Sequence, residues 1–421
     1  MTPSGKKLLV IVVVALLVAA LGVAALELGS DEGSPDASTP LGEGQPPQSG
    51  VQPRRGDLSD AARKIGASPK CTGTGPVELA ALPMREEDFA LVLPYGLMVG
   101  AHVTPIDHWY FSPADRKSPR DAYEVYAMAD GILSQIQRRR IKVDTGEARP
   151  EEFRLVFTHT CTFLTYYDLV TSLDKAILDQ VPELQSKDNV NPEIAVKKGQ
   201  RIGYIGGQTL DFAVWDLEKP LEGFVNLESY SAGDPWKPYT ANPYDYVSPA
   251  IRRLLIDRNP RTVEPIQGKI DYDIDGRIVG NWFLEGTKGY LGKEQSKYWV
   301  GHLALAYSYL DPSAIVISVG DWAGREGQFT VRGNAPDPAA VGVSDAPTKY
   351  ELVWFNYVDQ NGRAWDGASL VKNLKAAPME QIQGTILVQL VENRRLKAEA
   401  FPGKAAAQVS GFTEQARIYV R

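Results

Sequence analysis

The sequence predicts a mainly β protein, in which an apolar N-terminal helix leads two successive folded parts built from antiparallel strands. Three observations carry that prediction. Short runs rich in Val, Ile, Tyr, Phe and Trp recur along the chain and are broken by Gly, Pro, Asp and Asn, the pattern of strands and turns rather than of amphipathic helices. A chain of 421 residues has room for two domains of ordinary size. An uncharged stretch of nineteen residues, Leu8 to Leu26, stands ahead of both.

That stretch contains only Leu, Val, Ile, Ala and one Gly. At about 1.5 Å per helical residue it nearly crosses a hydrocarbon core of about 30 Å. Lys6 and Lys7 precede it, and Glu27, Asp31 and Glu32 follow it, so the basic flank stays in the cytoplasm and the remainder is exported. The expected organisation is a cytoplasmic tail at 1–7 and a transmembrane signal anchor at 8–28. This places the protein in the cell membrane as a single-pass protein with its C-terminal ectodomain outside the cytoplasm. The small pair Ala24-Ala25 makes a cleaved signal peptide the competing reading, and an apolar core longer than about 7–15 residues weighs against it. From Gly29 the composition turns to Gly, Pro, Ser, Asp and Gln, which cannot bury enough apolar surface to order the chain. Residues 29–60 are therefore read as a linker.

The formal charge of −7 and the lack of a long basic stretch argue against a nucleic-acid partner. Arg138-Arg139-Arg140 is a local exception, read as a solvated turn or strand end. Cys71 and Cys161 are the only cysteines. An exported location lets them form a disulfide, and two isolated buried thiols are the alternative.

The first folded part, 61–258, shows strand-like runs at Tyr123–Met128, Phe153–Thr158, Arg201–Ile205 and Phe212–Trp215, with a partly helical stretch at Thr171–Leu184. The second, 259–421, shows Ile278–Leu284, Trp299–Tyr307, Ala314–Val319, Gln328–Val331, Tyr350–Tyr357, Thr385–Leu390 and Ala416–Val420. Their spacing predicts an antiparallel β sandwich or barrel. Trp282 and Trp322 beside glycines read as core residues at tight turns. Asp271, Asp273 and Asp275 would share one face of a strand, but no glutamate follows where an EF-hand requires one, so a solvated turn is expected.

Chemistry concentrates in Pro94–Phe111, which holds His102, Asp107 and His108, two of only four histidines in the chain. In an extended stretch the neighbours Asp107 and His108 would face opposite ways, so one alone could join His102. His159 with Asp168, and Asp211 with Asp216, lie on two further strand-like runs. An acid between Leu210 and Phe212 must be paired or metal-bound, and His102 or His159 is the expected partner for Asp211. Asp107 after Pro105 also suits a turn. Tyr166, Tyr167 and Trp215 read as core or rim aromatics able to stack on sugar rings.

In order, four blocks resemble the lysostaphin-type zinc endopeptidases, the LytM-like β family that cuts peptide cross-links of bacterial walls. They span roughly Leu91 to Asp216. His102 to Asp107 resembles the family's H-x-x-x-D pair with one residue inserted, and VYAMADGILSQI (Val125 to Ile136) its "pVyA..dG.V" hairpin. LVFTHTCTFLTYYDLVTSL is similar to the strand pair ending in Y-x-H-L. VKKGQRIGYIG (Val196 to Gly206) is similar to "V..Gq.IG..G" and leads into TLDFAVWD where the family has H-x-H. The resemblance implies the family's β fold and, position by position, a metal set of His102, Asp107 and Asp211. The H-x-H positions fall on Thr209 and Asp211, and the Y-x-H-L histidine on Asp168. One imidazole with two carboxylates would admit zinc, manganese or calcium as the divalent metal. Thr209 is no general base near neutral pH, which leaves His108, His159 and Asp168 as catalytic candidates. The sequence therefore predicts a membrane-anchored envelope protein with a degenerate peptidase-like domain that binds a cell-wall or envelope polymer. Its alternatives are a divergent metal-dependent endopeptidase and an architectural envelope protein.

Overall fold

The structure, a computed structural model, describes residues 55–139 and 151–421. The expected anchor at 8–28 lies outside them, and no helix among the described residues is long and apolar enough to cross a membrane. The expected linker meets folded structure earlier than its composition suggests, because helix α1 (Arg55–Lys64) begins inside it.

The architecture is mainly antiparallel β. The first part contributes β1 (Phe89–Leu93), β2 (Trp109–Pro113), β3 (Tyr123–Tyr126), β4 (Gly131–Arg139), β5 (Glu152–Thr160), β6 (Phe163–Val170), β7 (Ser172–Leu173), β8 (Asn189–Val190), β9 (Ile194–Val196), β10 (Arg201–Ile205) and β11 (Leu210–Asp216), with α2 (Lys175–Leu178) and α3 (Pro249–Asp257). One sheet runs β1-β2-β11-β6-β5-β4-β8, with β9 also on β4, and a smaller sheet runs β3-β10-β7. β6 and β11 are buried at every position, as the two central strands of a covered sheet must be.

The second part resolves the choice between sandwich and barrel. Strands β12 (Gly280–Leu284), β13 (His302–Tyr307), β14 (Ile315–Trp322), β15 (Arg325–Val331), β16 (Thr348–Val358), β17 (Lys375–Glu392), β18 (Arg395–Pro402) and β19 (Arg417–Val420) form a closed barrel. Closure comes from first-to-last pairing, Phe283 with Val420 and Leu284 with Tyr419, which leaves no open edge to pair with another chain. The seven strands expected here all exist, several with shifted ends. β18, RLKAEAFP, escaped notice because its inward residues are mostly alanines set among charges.

The two parts share a joint rather than a flexible link. Asn259 is fully buried, and its amide donates to Tyr244 Oη at 3.1 Å and to the Ile266 carbonyl at 2.8 Å. The buried Arg261 guanidinium donates to the carbonyls of Val263 at 2.8 Å and Tyr309 at 2.7 Å. Leu91, Leu93, Ile106 and Tyr110 pack in one cluster with Tyr309, Leu310, Tyr357 and Leu374. Because the cores interlock, unfolding by denaturant is expected as one cooperative transition. Two resolved transitions by fluorescence and circular dichroism would contradict this.

Cys71 and Cys161 form a disulfide with Cα atoms 5.0 Å apart, across 90 residues of sequence. It ties the segment after α1 to the β5–β6 turn, where Cys161 N also donates to the Gly73 carbonyl at 3.0 Å. Ala62 and Ile65 pack on the sheet face formed by Val156, Leu164, Tyr166, Ala213 and Trp215. Closing so long a loop removes unfolded-state entropy. The double variant Cys71→Ala/Cys161→Ala should lose about 2–4 kcal/mol in denaturant melts, and an unchanged midpoint would contradict that.

The aspartates of DYDIDG lie outside any strand, and only Asp275 stands in the exposed turn expected of them. Asp275 pairs with Arg394 through two contacts of 2.6 and 2.7 Å, and Asp271 binds Lys269 Nζ at 2.7 Å. Asp273 is buried and accepts from Asn281 N at 2.7 Å.

Candidate functional site

The pairing of three adjacent strands builds the site. Asp211 on β11 stands opposite Asp168 on β6 and opposite Tyr110 on β2. Side chains alternate along a strand, so Asp168, Tyr166, Asp211 and Tyr110 share one face. Residues 104–108 are not part of β2, and this irregular backbone lets Asp107 and His108 turn toward each other, contrary to the alternation expected of an extended stretch.

His108 is the centre of the cluster. Its Nε2 lies 3.2 Å from Asp211 Oδ2 and 3.2 Å from Tyr110 Oη, and its Nδ1 lies 3.6 Å from Asp107 Oδ1. The buried partner of Asp211 is therefore His108, not His102 or His159, because the β2–β11 register carries His108 to it. Burial disfavours the imidazolium, but the charge of Asp211 and the hydrogen bonds to both carboxylates outweigh burial and push the His108 pKa up to about 9. For Asp107 the burial penalty is reversed by Lys237 and His108, which hold its carboxyl well below the usual range. His102 is the opposite case: burial, His108 and Lys237 together lower it to about 3, so it is neutral.

Both oxygens of Asp107 are engaged by the connection between β11 and α3. Trp236 Nε1 donates to Oδ2 at 2.9 Å, and Lys237 Nζ lies 3.8 Å from Oδ1. Lys237 is 1% exposed, donates to the Pro105 carbonyl at 2.7 Å and sits over the Tyr290 ring at 5.2 Å. An ammonium so buried must be matched by charge and hydrogen bonds. Thr209 Oγ1 donates to Asp211 Oδ1 at 3.3 Å.

Asp168 is saturated with donors. Arg154 reaches Oδ2 through Nε and Nη2, both at 3.1 Å; Tyr166 Oη donates at 2.6 Å and Leu169 N at 2.7 Å, and Arg139 binds Oδ1. A carboxylate with five donors has no lone pair poised to accept a substrate proton. Arg139 ends β4 but is buried against Asp168 rather than solvated, and burial beside Arg154 lowers its pKa to about 10. His159 is engaged elsewhere: Nδ1 lies 2.7 Å from the Asp130 carbonyl and Nε2 lies 2.9 Å from Thr165 Oγ1.

The expected set of His102, Asp107 and Asp211 does not assemble into a metal site. Among the described residues, no group of three or more His, Cys, Asp or Glu side chains is arranged to hold an ion. The His102 and His108 rings are 6.3 Å apart. Oxygens that would face a metal instead face the His108 imidazolium, Trp236 and Lys237, so this donor set does not fit a divalent cation as arranged. Sequence reading missed Arg154, Trp236, Lys237 and Tyr290, and named Arg139 only as part of a basic triplet. The only signal was the density of aromatic and basic residues in DPWKPY, since nothing local ties that segment to Asp107, 129 residues earlier.

The fold and site thus define a β-sheet domain with a buried, charge-compensated cluster, joined to a closed barrel. Two solved structures are similar to parts of this chain. One is a zinc-containing peptidase from Vibrio cholerae, 17% identical over 35% of this chain and 39% of that one, with a TM-score of 0.22. The other is Csd3 from Helicobacter pylori, 15% identical over 34% of this chain and 33% of that one, with a TM-score of 0.21. The chain therefore spans less than two fifths of either. No protein-family model matches it, and neither does any curated relative.

Proposed function

We propose that this chain is a non-catalytic, membrane-anchored relative of lysostaphin-type wall peptidases whose cleft binds a cell-wall or envelope polymer. The observation that carries this reading is His108 between Asp107 and Asp211. A protein cation holds the two carboxylates together where a hydrolase of this type needs a metal with an open coordination position. The saturation of Asp168 and the substitution of Thr209 and Asp211 for H-x-H support it further, since none of these positions keeps the imidazole that such a hydrolase uses there to move protons.

Aromatic rings favour binding over cleavage. Trp215 stacks on Trp236 at 5.4 Å, and the Arg154 guanidinium lies over Tyr166 at 5.0 Å and over Trp236 at 5.5 Å. The half-buried Trp236 and Tyr239 pack against this group and are residue types that stack on sugar rings. The apolar run at Leu8–Leu26 and the Cys71–Cys161 disulfide support an exported, anchored body.

The test uses the purified ectodomain. Expected results are less than about a tenth of an equivalent of zinc, manganese or calcium, no cleavage of peptide cross-links, and co-sedimentation with isolated envelope material. Stoichiometric metal with cross-link cleavage would make the chain a divergent endopeptidase. Failure to sediment would leave it architectural.

A further inference from the structure

The barrel carries a cavity that the proposed cleft does not use. An eight-stranded barrel is just wide enough for its side chains to fill it or for one small ligand to enter. Here the interior is filled over most of its length by Trp282, Phe329 and Tyr350, each fully buried, together with Leu352, Leu390 and Leu396. The inward positions of β18 then change from Leu396 to Ala398 and Ala400. At that end a cavity of about 240 Å³ remains, bounded by Leu303 and Val319 on one side and by Ile386, Ala398 and Tyr419 on the other. Since β14 and β17 are not neighbours in the barrel, residues from both on one cavity place it in the lumen.

The mouth is charged. Asp321 and Arg417 meet there at 3.1 Å, with side chains 26% and 47% exposed. The rim is held by the two-residue turn Ala323-Gly324, both at positive φ (55° and 88°), between the paired residues Trp322 and Arg325, the hairpin geometry that matches strand twist. Gly324 N donates to Asp321 Oδ1 at 3.1 Å and fixes that carboxylate at the opening.

We propose that this open end of the barrel binds a small zwitterion with an aliphatic tail, of the size and chemistry of an apolar α-amino acid. The tail enters the alanine-lined lumen. The ligand's ammonium meets Asp321 and its carboxylate meets Arg417, so the protein's own surface ion pair, of little worth in water, is exchanged for two charge-assisted contacts. A volume below the roughly 300 Å³ at which drug-sized pockets begin restricts the ligand to this size.

The experiment titrates the folded ectodomain with L-leucine, n-hexanoate and n-hexylamine, read by calorimetry and by chemical shifts of Ala398 and Ala400. L-Leucine is expected to bind at millimolar or better strength, and each singly charged probe at least about tenfold more weakly. Arg417→Gln, at the exposed mouth, should weaken L-leucine by about tenfold or more and should not weaken n-hexylamine, whose ammonium partner Asp321 it frees. Ala398→Leu should abolish all binding; if that variant does not fold, Arg417→Gln decides alone. No binding of L-leucine at about 10 mM, equal affinity for n-hexanoate, or indifference to Arg417→Gln would each overturn the proposal.

Discussion

Replacing His108 by Gln is expected to destabilise the protein by about 3–5 kcal/mol at neutral pH, the usual cost of removing one member of a buried charge group. Asp107 and Asp211 are 6% and 2% exposed, and without the imidazolium each loses the ion pair that offsets its burial. The pH dependence gives an independent readout. The folded-state pKa of His108 is raised from 6.5 to about 9, so its contribution is complete below pH 6.5 and is lost as pH rises through 9. A rise of that size corresponds to about 3 kcal/mol. Urea midpoints of the wild-type protein should fall between pH 7 and 10, while those of His108→Gln should fall much less. A variant as stable as wild type at pH 7, or one with the same alkaline slope, would show that His108 does not bind the two carboxylates as described.

Asp168→Leu is expected to cost a similar amount, about 3–5 kcal/mol, because two guanidiniums are left facing an apolar side chain. Arg139 and Arg154 both converge on this carboxylate, and their side chains are 10% and 19% exposed. Asp168→Leu combined with Arg154→Met should recover part of the loss. The double variant should be less destabilised than the sum of the singles by about 1–3 kcal/mol, since groups in one network couple. Strict additivity would mean that Arg154 and Asp168 are not partners. Full stability of Asp168→Leu would reopen the role of that carboxylate as a free base.

The shared physical basis is compensation at close range. In a low-dielectric interior an unpaired carboxylate costs far more than a surface one. Asp107, Asp168 and Asp211 are each matched by a donor or cation from another part of the chain. Lys237 and Trp236 come from the segment leading into the joint, and Tyr290, over which Lys237 sits, comes from the connection between β12 and β13. The second part therefore contributes to the packing around the cluster. Gln328 on β15 adds a second connection, donating to the Gly100 carbonyl at 3.0 Å and accepting from Gly100 N at 3.1 Å, and so anchors the loop that presents His102.

Several of these features were legible in the chain itself. Alternating β-branched and aromatic residues separated by Gly and Pro specified antiparallel β structure in both parts, because a period of two reflects purely local geometry. The acid embedded in Leu210–Phe212 announced that Asp211 must have a partner, and the resemblance to lysostaphin-type peptidases pointed to the neighbourhood of Asp107 and Asp211. Pairing was beyond local reach. His108 satisfies Asp211 because β2 lies beside β11, although about a hundred residues separate them, and the same register leaves His102 and His159 elsewhere. Barrel closure was equally non-local, since it depends on the hydrogen bonds between β12 and β19 at opposite ends of the second part. The sequence by itself determined the strand content, the need to neutralise each buried acid and the apolar run at its start. Tertiary structure alone decided which cation meets which carboxylate, because that choice is set by strand register and packing over distances that no residue pattern encodes.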